Sequence, residues 1–307
     1  MQCLRWFRPQ RATLFCFKTV KLSSAIISTK FSQNVSNQSF VLAHQNYEAT
    51  QENDSSPVLV VHGMLGSKKN WHTFCKSCNE KTGKQIIAVD CRNHGQSPRS
   101  DHMSYPVMAG DIAETFQEMM ISKCILIGHS MGGKVVMESA LSMPNIIEKL
   151  ILVDITPISA STKLGTVSVV PMVLSAMTNL DLSKVKNRQD ADKMLAETIP
   201  FDGLRAWALT NLYKDDKGQF QWQHNLNNIQ DNVDSLFSGV ALNEREPYMG
   251  ETLFVGGGES DVLRNVDMNE MRKMFPNARL EMIPGAGHFV HTDKPKEFLE
   301  IVRDFLG

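Results

Sequence analysis

The chain of 307 residues is 42% apolar, enough to bury a sizeable core, which excludes global disorder. It carries 32 basic against 33 acidic side chains and no uninterrupted apolar run of about 18 residues, the length a membrane helix needs. The first 45 residues hold six basic side chains (Arg5, Arg8, Arg11, Lys18, Lys21 and Lys30) and no Asp or Glu, so the remainder stands at −7 and offers no basic footprint for nucleic acid.

That basic segment sets itself apart from the body. Residues 1–38 are rich in Ser, Thr, Asn and Gln with scattered Leu, Trp and Phe, the composition of a mitochondrial transit peptide. Lys18 and Lys21 break its longest apolar stretch, which leaves no clean secretory core. A mitochondrial location is therefore expected, with the working domain at 39–307. Six cysteines are present, of which Cys75-Lys-Ser-Cys78 has metal or redox spacing. No second Cys/His pair is spaced to complete a site, so free thiols are expected, with neither metal nor cofactor.

Along the body, residues 39–45 read as a short leading strand. The β-branched run 57–61 predicts a strand covered on both faces, opening into His62-Gly63-Met64-Leu65-Gly66. Glycines there let the main chain pass close to a ligand, and the Met64 N–H is aimed at an oxyanion. His62 is assigned a bracing role. A helix over 71–83 and a strand over 85–89 follow, ending in a polar turn where Asp90 and Arg92 are expected to pair and His94 is placed to line a pocket. A helix over 105–121 leads into the next strand.

Residues 124–138 organise the rest. Cys124 to Ile127 is of strand length, Gly128-His129-Ser130-Met131-Gly132 is a tight turn, and Val135, Val136, Ala140 and Leu141 have helical spacing. Such a corner holds the Ser130 hydroxyl up beside a helix N-terminus, whose Met131 N–H is the second oxyanion donor. A strand over 149–153 ends at Asp154. Alternating strands and helices demand a mostly parallel sheet with helices on both faces. The alternation stops over 158–247, where helices are predicted at 191–198 and 203–213 and no strand is; this block reads as a helical cap over the C-terminal edge of the sheet. The methionine-containing apolar run 167–177 suits a variable apolar ligand or the cap's own core. Strands at 251–255 and 278–283, a helix at 266–275 and a closing helix at 294–306 complete the chain.

Attack by a serine hydroxyl at neutral pH needs a base that titrates nearby, and His288, in a glycine-flanked loop after the last strand, fits. His291, at the entry of the final helix, is expected to be structural. The base needs a carboxylate. Asp261 lies in the usual slot after the strand that follows the cap, and Asp154 ends the preceding strand; the residues favour Asp261 and leave Asp154 open.

His62-Gly63, Asp90 with Arg92 and Gly95, the elbow at 128–132 and Gly287-His288 together resemble the α/β-hydrolase superfamily over 39–307. More narrowly, His62-Gly-Met-Leu-Gly-Ser-Lys-Lys-Asn-Trp71, Arg92-Asn-His-Gly-Gln-Ser-Pro98, Met103-Ser-Tyr105, Gly128-His-Ser-Met-Gly-Gly-Lys134 and Val153-Asp-Ile-Thr-Pro157 resemble the family of the mitochondrial α/β-hydrolase domain-containing protein eleven and its bacterial esterase relatives. The resemblance implies an α/β-hydrolase fold and a matrix serine hydrolase acting on acylglycerols, diacylglycerol in particular. It also implies a partnership with the 2-oxoglutarate dehydrogenase complex, and an acid at Asp154 more regularly than at Asp261. Thioester or peptide deacylation uses the same groups and stays open, as does a second class of role, a mitochondrial binding partner that protects the complex.

Overall fold

The structure, a computed structural model, describes residues 39–50, 55–157, 169–237, 239–240 and 245–307. The leader 1–38 lies outside them, as do 158–168 and 241–244 of the cap. Seven strands form one sheet: β1 (His44–Tyr47), β2 (Val58–Val61), β3 (Ile86–Val89), β4 (Cys124–His129), β5 (Ile147–Val153), then, after the cap, the strands Glu251–Gly257 and Ala278–Ile283. Their spatial order is β1-β3-β2-β4-β5, followed by Glu251–Gly257 and Ala278–Ile283, all parallel except the antiparallel β1. β2, β3 and β4 are buried along their whole length, which is why they read as unbroken apolar runs. Helices α1 (His72–Thr82), α2 (Tyr105–Glu118), α3 (Met131–Ser142) and, closing the chain, Pro295–Leu306 cover the faces. This is the α/β-hydrolase architecture.

Several element ends differ from the sequence reading, each for a local reason. Before β1 the backbone N–H groups of Phe40, Leu42 and Ala43 donate to the Asp111 carboxylate and the Thr115 and Ser97 hydroxyls, so the ladder begins only at His44. The helix foreseen from 266 starts at Met268, because Asp267 caps it by accepting from the Asn269 N–H at 2.8 Å. Asp90 and Arg92 do not pair with each other. Asp90 takes Lys68, and Arg92 donates from Nε and Nη2 to both oxygens of Asp111 at 2.7 and 2.6 Å. Two fully buried charges find partners from other elements, as burial demands.

Between β5 and Glu251–Gly257 the cap contributes α4 (Val169–Asn179), α5 (Arg188–Ala196), α6 (Asp202–Leu209), a hairpin of β6 (Leu212–Lys214) and β7 (Phe220–Trp222), and the short helices Leu226–Asp231 and Val233–Phe237. The cap is mainly helical as expected, but the hairpin appears where no strand was expected and shortens the helix foreseen to 213. Its strands are three residues long, too short to show period-2 alternation, and Gly218 at φ 76° makes the turn between them. No described helix is long and apolar enough to cross a membrane.

Candidate active site

The sheet order puts the C-terminal ends of β4 and β5 side by side, and each ends in a strained residue. Ser130 has φ 51° and ψ −119°, and Asp154 has φ 47°. Side chains rarely adopt a positive φ unless surrounding structure enforces it, and here the sheet does. The Ser130 N–H donates to the Val153 carbonyl at 3.0 Å and the Asp154 N–H to the Val255 carbonyl at 2.8 Å. A side chain on Gly132 would run into the Val61 and His62 carbonyls, and one on Gly128 into the Gly132 carbonyl and Val136. The elbow thus packs strand against helix at backbone distance and lifts Ser130 out of the sheet.

His288 arrives from the loop after the last strand. Its Nδ1–H donates to Asp154 Oδ2 at 2.7 Å, and both side chains are buried. The other ring nitrogen is then free to act as a base. Asp154 also accepts from the Ser260 hydroxyl at 2.6 Å and the Gly257 N–H at 3.3 Å, which hold the carboxylate aligned. One cavity is lined by Ser130, His288, Gly63, Met64 and the apolar side chains Val170, Trp207 and Phe289.

Opposite the elbow lies the turn 63–66, closed by the Gly66 N–H donating to the Gly63 carbonyl at 3.0 Å, with Leu65 at φ 58°. A Cβ on Gly63 would sit 3.3 Å from Ser130 Cβ and 2.8 Å from His129 Nδ1, so only glycine lets this backbone approach the serine so closely. Met64 lines the cavity in this turn, and Met131 opens α3, where the first N–H groups have no helical acceptor.

A model of the alpha/beta hydrolase fold family matches residues 56–295. The chain belongs to the α/β hydrolase family. It is 36% identical to the sn-1-specific diacylglycerol lipase ABHD11 of Danio rerio over 82% of this chain and 79% of that protein. It is 30% identical to the esterase YbfF of Escherichia coli K12, over 84% of this chain and 96% of the relative. A solved marine microorganism esterase superposes with a TM-score of 0.81 at 31% identity, over 87% of this chain and all of that one. With relatives of that similarity named as lipase and esterases, this hydrolase is a carboxylic ester hydrolase.

The hydrolase does not bring all the foreseen residues together. Asp261 stands off the imidazole: its side chain is 52% exposed and faces Arg264 at 3.6 Å. The slot after Glu251–Gly257 instead supplies Ser260, whose hydroxyl supports Asp154 from the neighbouring strand. His94 is fully buried and absent from the cavity wall. Its Nδ1–H donates to the Arg92 carbonyl at 2.9 Å and its Nε2 accepts the Leu65 N–H at 3.1 Å. His62 braces the turn as foreseen, donating from Nδ1 to the Gly63 carbonyl at 2.7 Å and accepting the Cys91 N–H at 3.0 Å. His291 stacks on Trp71 with ring centroids 3.9 Å apart. Cys75 and Cys78 are free and buried, and burial pushes the Cys78 thiol up to about 11.

His129, beside Ser130, has no role assigned from the sequence. Its Nε2–H donates to the His288 carbonyl at 2.9 Å, tying the His288 loop to the elbow. A histidine just before an elbow serine is the one signal that pointed there. Burial, with the neighbouring His288 and His291, drives its pKa well below the usual histidine range, so it stays neutral and keeps a single donor.

Proposed function

We propose that this chain is a serine hydrolase that cleaves acylglycerols, diacylglycerol foremost, through an acyl-enzyme. The observation that carries the reading is the His288–Asp154 pair at 2.7 Å, with His288 and the strained Ser130 in one cavity wall. The Ser130 hydroxyl attacks the ester carbonyl while His288 Nε2 takes its proton. Asp154 fixes the tautomer and stabilises the imidazolium that forms. The tetrahedral oxyanion is held between the Met64 and Met131 N–H groups, where loss of one donor costs on the order of 3 kcal/mol in the barrier. Collapse expels the alcohol, which takes the proton back from His288, and water then releases the acid by the same route. Val170, Trp207, Phe289 and Met64 give the cavity an apolar wall for an acyl chain. The ABHD11 relatives, named as sn-1-specific diacylglycerol lipases, support the glyceride and its position-1 ester. Assayed against diacylglycerols, thioesters of the same acyl chain and short esters, the protein is expected to turn over diacylglycerol at least tenfold better in kcat/KM than the thioester; the reverse order would remove the lipase reading while leaving the esterase.

The site of action follows from composition. The acid-free basic leader supports import into the mitochondrial matrix, and the family resemblance extends this to a partnership with the 2-oxoglutarate dehydrogenase complex. The full chain is expected to fractionate with matrix proteins and to co-purify with that complex. A variant without residues 2–38 is expected in the cytosol, and equal matrix recovery of the two forms would refute the targeting role.

A further inference from the structure

The turn that carries Met64 is held from outside the sheet. Leu65 is fully buried and strained, and its carbonyl accepts two cap donors at once: Asn211 Nδ2 at 3.0 Å and His224 Nε2–H at 3.1 Å. Both donors are themselves buried, and they flank the two ends of the β6–β7 hairpin. The Gln223 N–H donates to the Asn211 carbonyl at 2.9 Å, which closes the base of the hairpin and fixes the two prongs relative to each other. The same base is pinned to the loop after β3. His224 Nδ1 accepts the Gly95 N–H at 3.2 Å, and Asn225 donates from its N–H and its amide to the Asn93 carbonyl and side-chain oxygen at 2.9 and 3.1 Å.

We propose that Asn211 and His224 are positioning residues for the oxyanion donor: the hairpin base clamps the Leu65 carbonyl and thereby fixes the orientation of the turn that presents the Met64 N–H. The inference rests on the proposed reading in which Ser130 attacks and Met64 receives the oxyanion. The physical argument is one of strain. A non-glycine residue at positive φ costs on the order of 1 kcal/mol or more and relaxes when its restraints go. Relaxation of Leu65 swings the peptide planes on either side of it, and a displacement of about 1 Å at a reacting group is worth about a hundredfold in rate. Leu65 has three restraints: the His94 ring on its N–H, and the two cap donors on its carbonyl. The cap therefore acts on the transition state as well as on the acyl chain.

The test exploits the geometry of the His224 ring. In His224→Gln the side-chain amide reaches the place of Nε2 and can still donate to Leu65. In His224→Asn it reaches only the place of Nδ1 and can serve Gly95 but not Leu65. Both replacements are polar and no larger than the imidazole. His224→Gln is expected to keep most of the rate, while His224→Asn loses at least tenfold in kcat with KM within twofold. Affinity for a trifluoromethyl ketone, whose hemiketal with Ser130 carries an oxyanion, should fall in parallel, and affinity for the product carboxylate should not. Asn211→Leu is expected to behave like His224→Asn. Equal kcat and equal ketone affinity in the Gln and Asn variants would overturn the clamp, as would a parallel loss in carboxylate affinity and melting temperature. Ser130→Ala run alongside keeps the two readings apart: full activity in that variant would refute the serine mechanism itself, whereas Ser130-dependent activity indifferent to His224 refutes only the clamp.

Discussion

Ser130→Ala is expected to lose covalent labelling by a fluorophosphonate and to lower kcat by about a millionfold, since removing the nucleophile of a working triad costs about as much as removing all of it. The more discriminating comparison lies in the acid. Asp154→Asn should lower kcat by about 10⁴, or roughly 5.5 kcal/mol of transition-state stabilisation. The asparagine amide would present a donor or a neutral acceptor to His288 Nδ1, which favours the wrong tautomer and leaves the imidazolium uncompensated. Asp261→Asn is expected to stay within twofold of the unaltered protein, because the Asp261 carboxylate is half exposed and meets only Arg264 across 3.6 Å. Purified variants assayed on one short ester and labelled at one probe concentration settle both points. A loss of a thousandfold in Asp261→Asn with Asp154→Asn spared would reverse the assignment of the acid.

That assignment shows where the sequence ran out. The strand 58–61, the elbow at 128–132 and the placement of His288 after the last strand are legible because each is signalled within a few residues: a β-branched run, two glycines around a serine, a histidine between a glycine and the last helices. The acid is not a local property. Asp154 and Asp261 both follow strands, and the choice depends on β5 lying next to β4 in the sheet, with Asp154 at its end folded back at φ 47° beneath the imidazole. Charge pairing failed for the same reason. Asp90 and Arg92 are only two residues apart in sequence, yet their partners Lys68 and Asp111 lie 22 and 19 residues away. The cap hairpin was missed because three-residue strands carry no alternation, and its contact with Leu65 spans 146 residues from Asn211 and 159 from His224. What local chemistry dictates was readable; what topology brings together was not.

Acidification is expected to destabilise the protein well before its carboxylates titrate. His62, His94, His129, His224 and His291 are all buried, and desolvation drives each pKa below the ordinary 6.5, to about 3 for His224 and His291. Unfolding exposes them to water, where they take up protons as pH falls through about 6.5. The unfolded chain therefore binds more protons than the folded one from about 6.5 down towards 3, and stability must fall with pH across that window. Asp111, whose burial pushes its carboxyl up against the pull of Arg92, offsets at most one of the five protons. His224 and His291 alone, at about 1.4 kcal/mol each, make the loss between pH 7.5 and 5.5 about 3 kcal/mol, a sizeable part of the whole stability of many domains. The melting temperature should drop by roughly 6–12 °C over those two units from these two rings. In His224→Gln one of these protons disappears from the balance, and the loss of stability between pH 7.5 and 5.5 should shrink by about 1.4 kcal/mol. A melting temperature unchanged between pH 7.5 and 5.5 would show that these rings are not held neutral by the fold. The bracing of the oxyanion turn by His62, His94 and His224, each of which must present a lone pair to a backbone N–H, would then have no basis either.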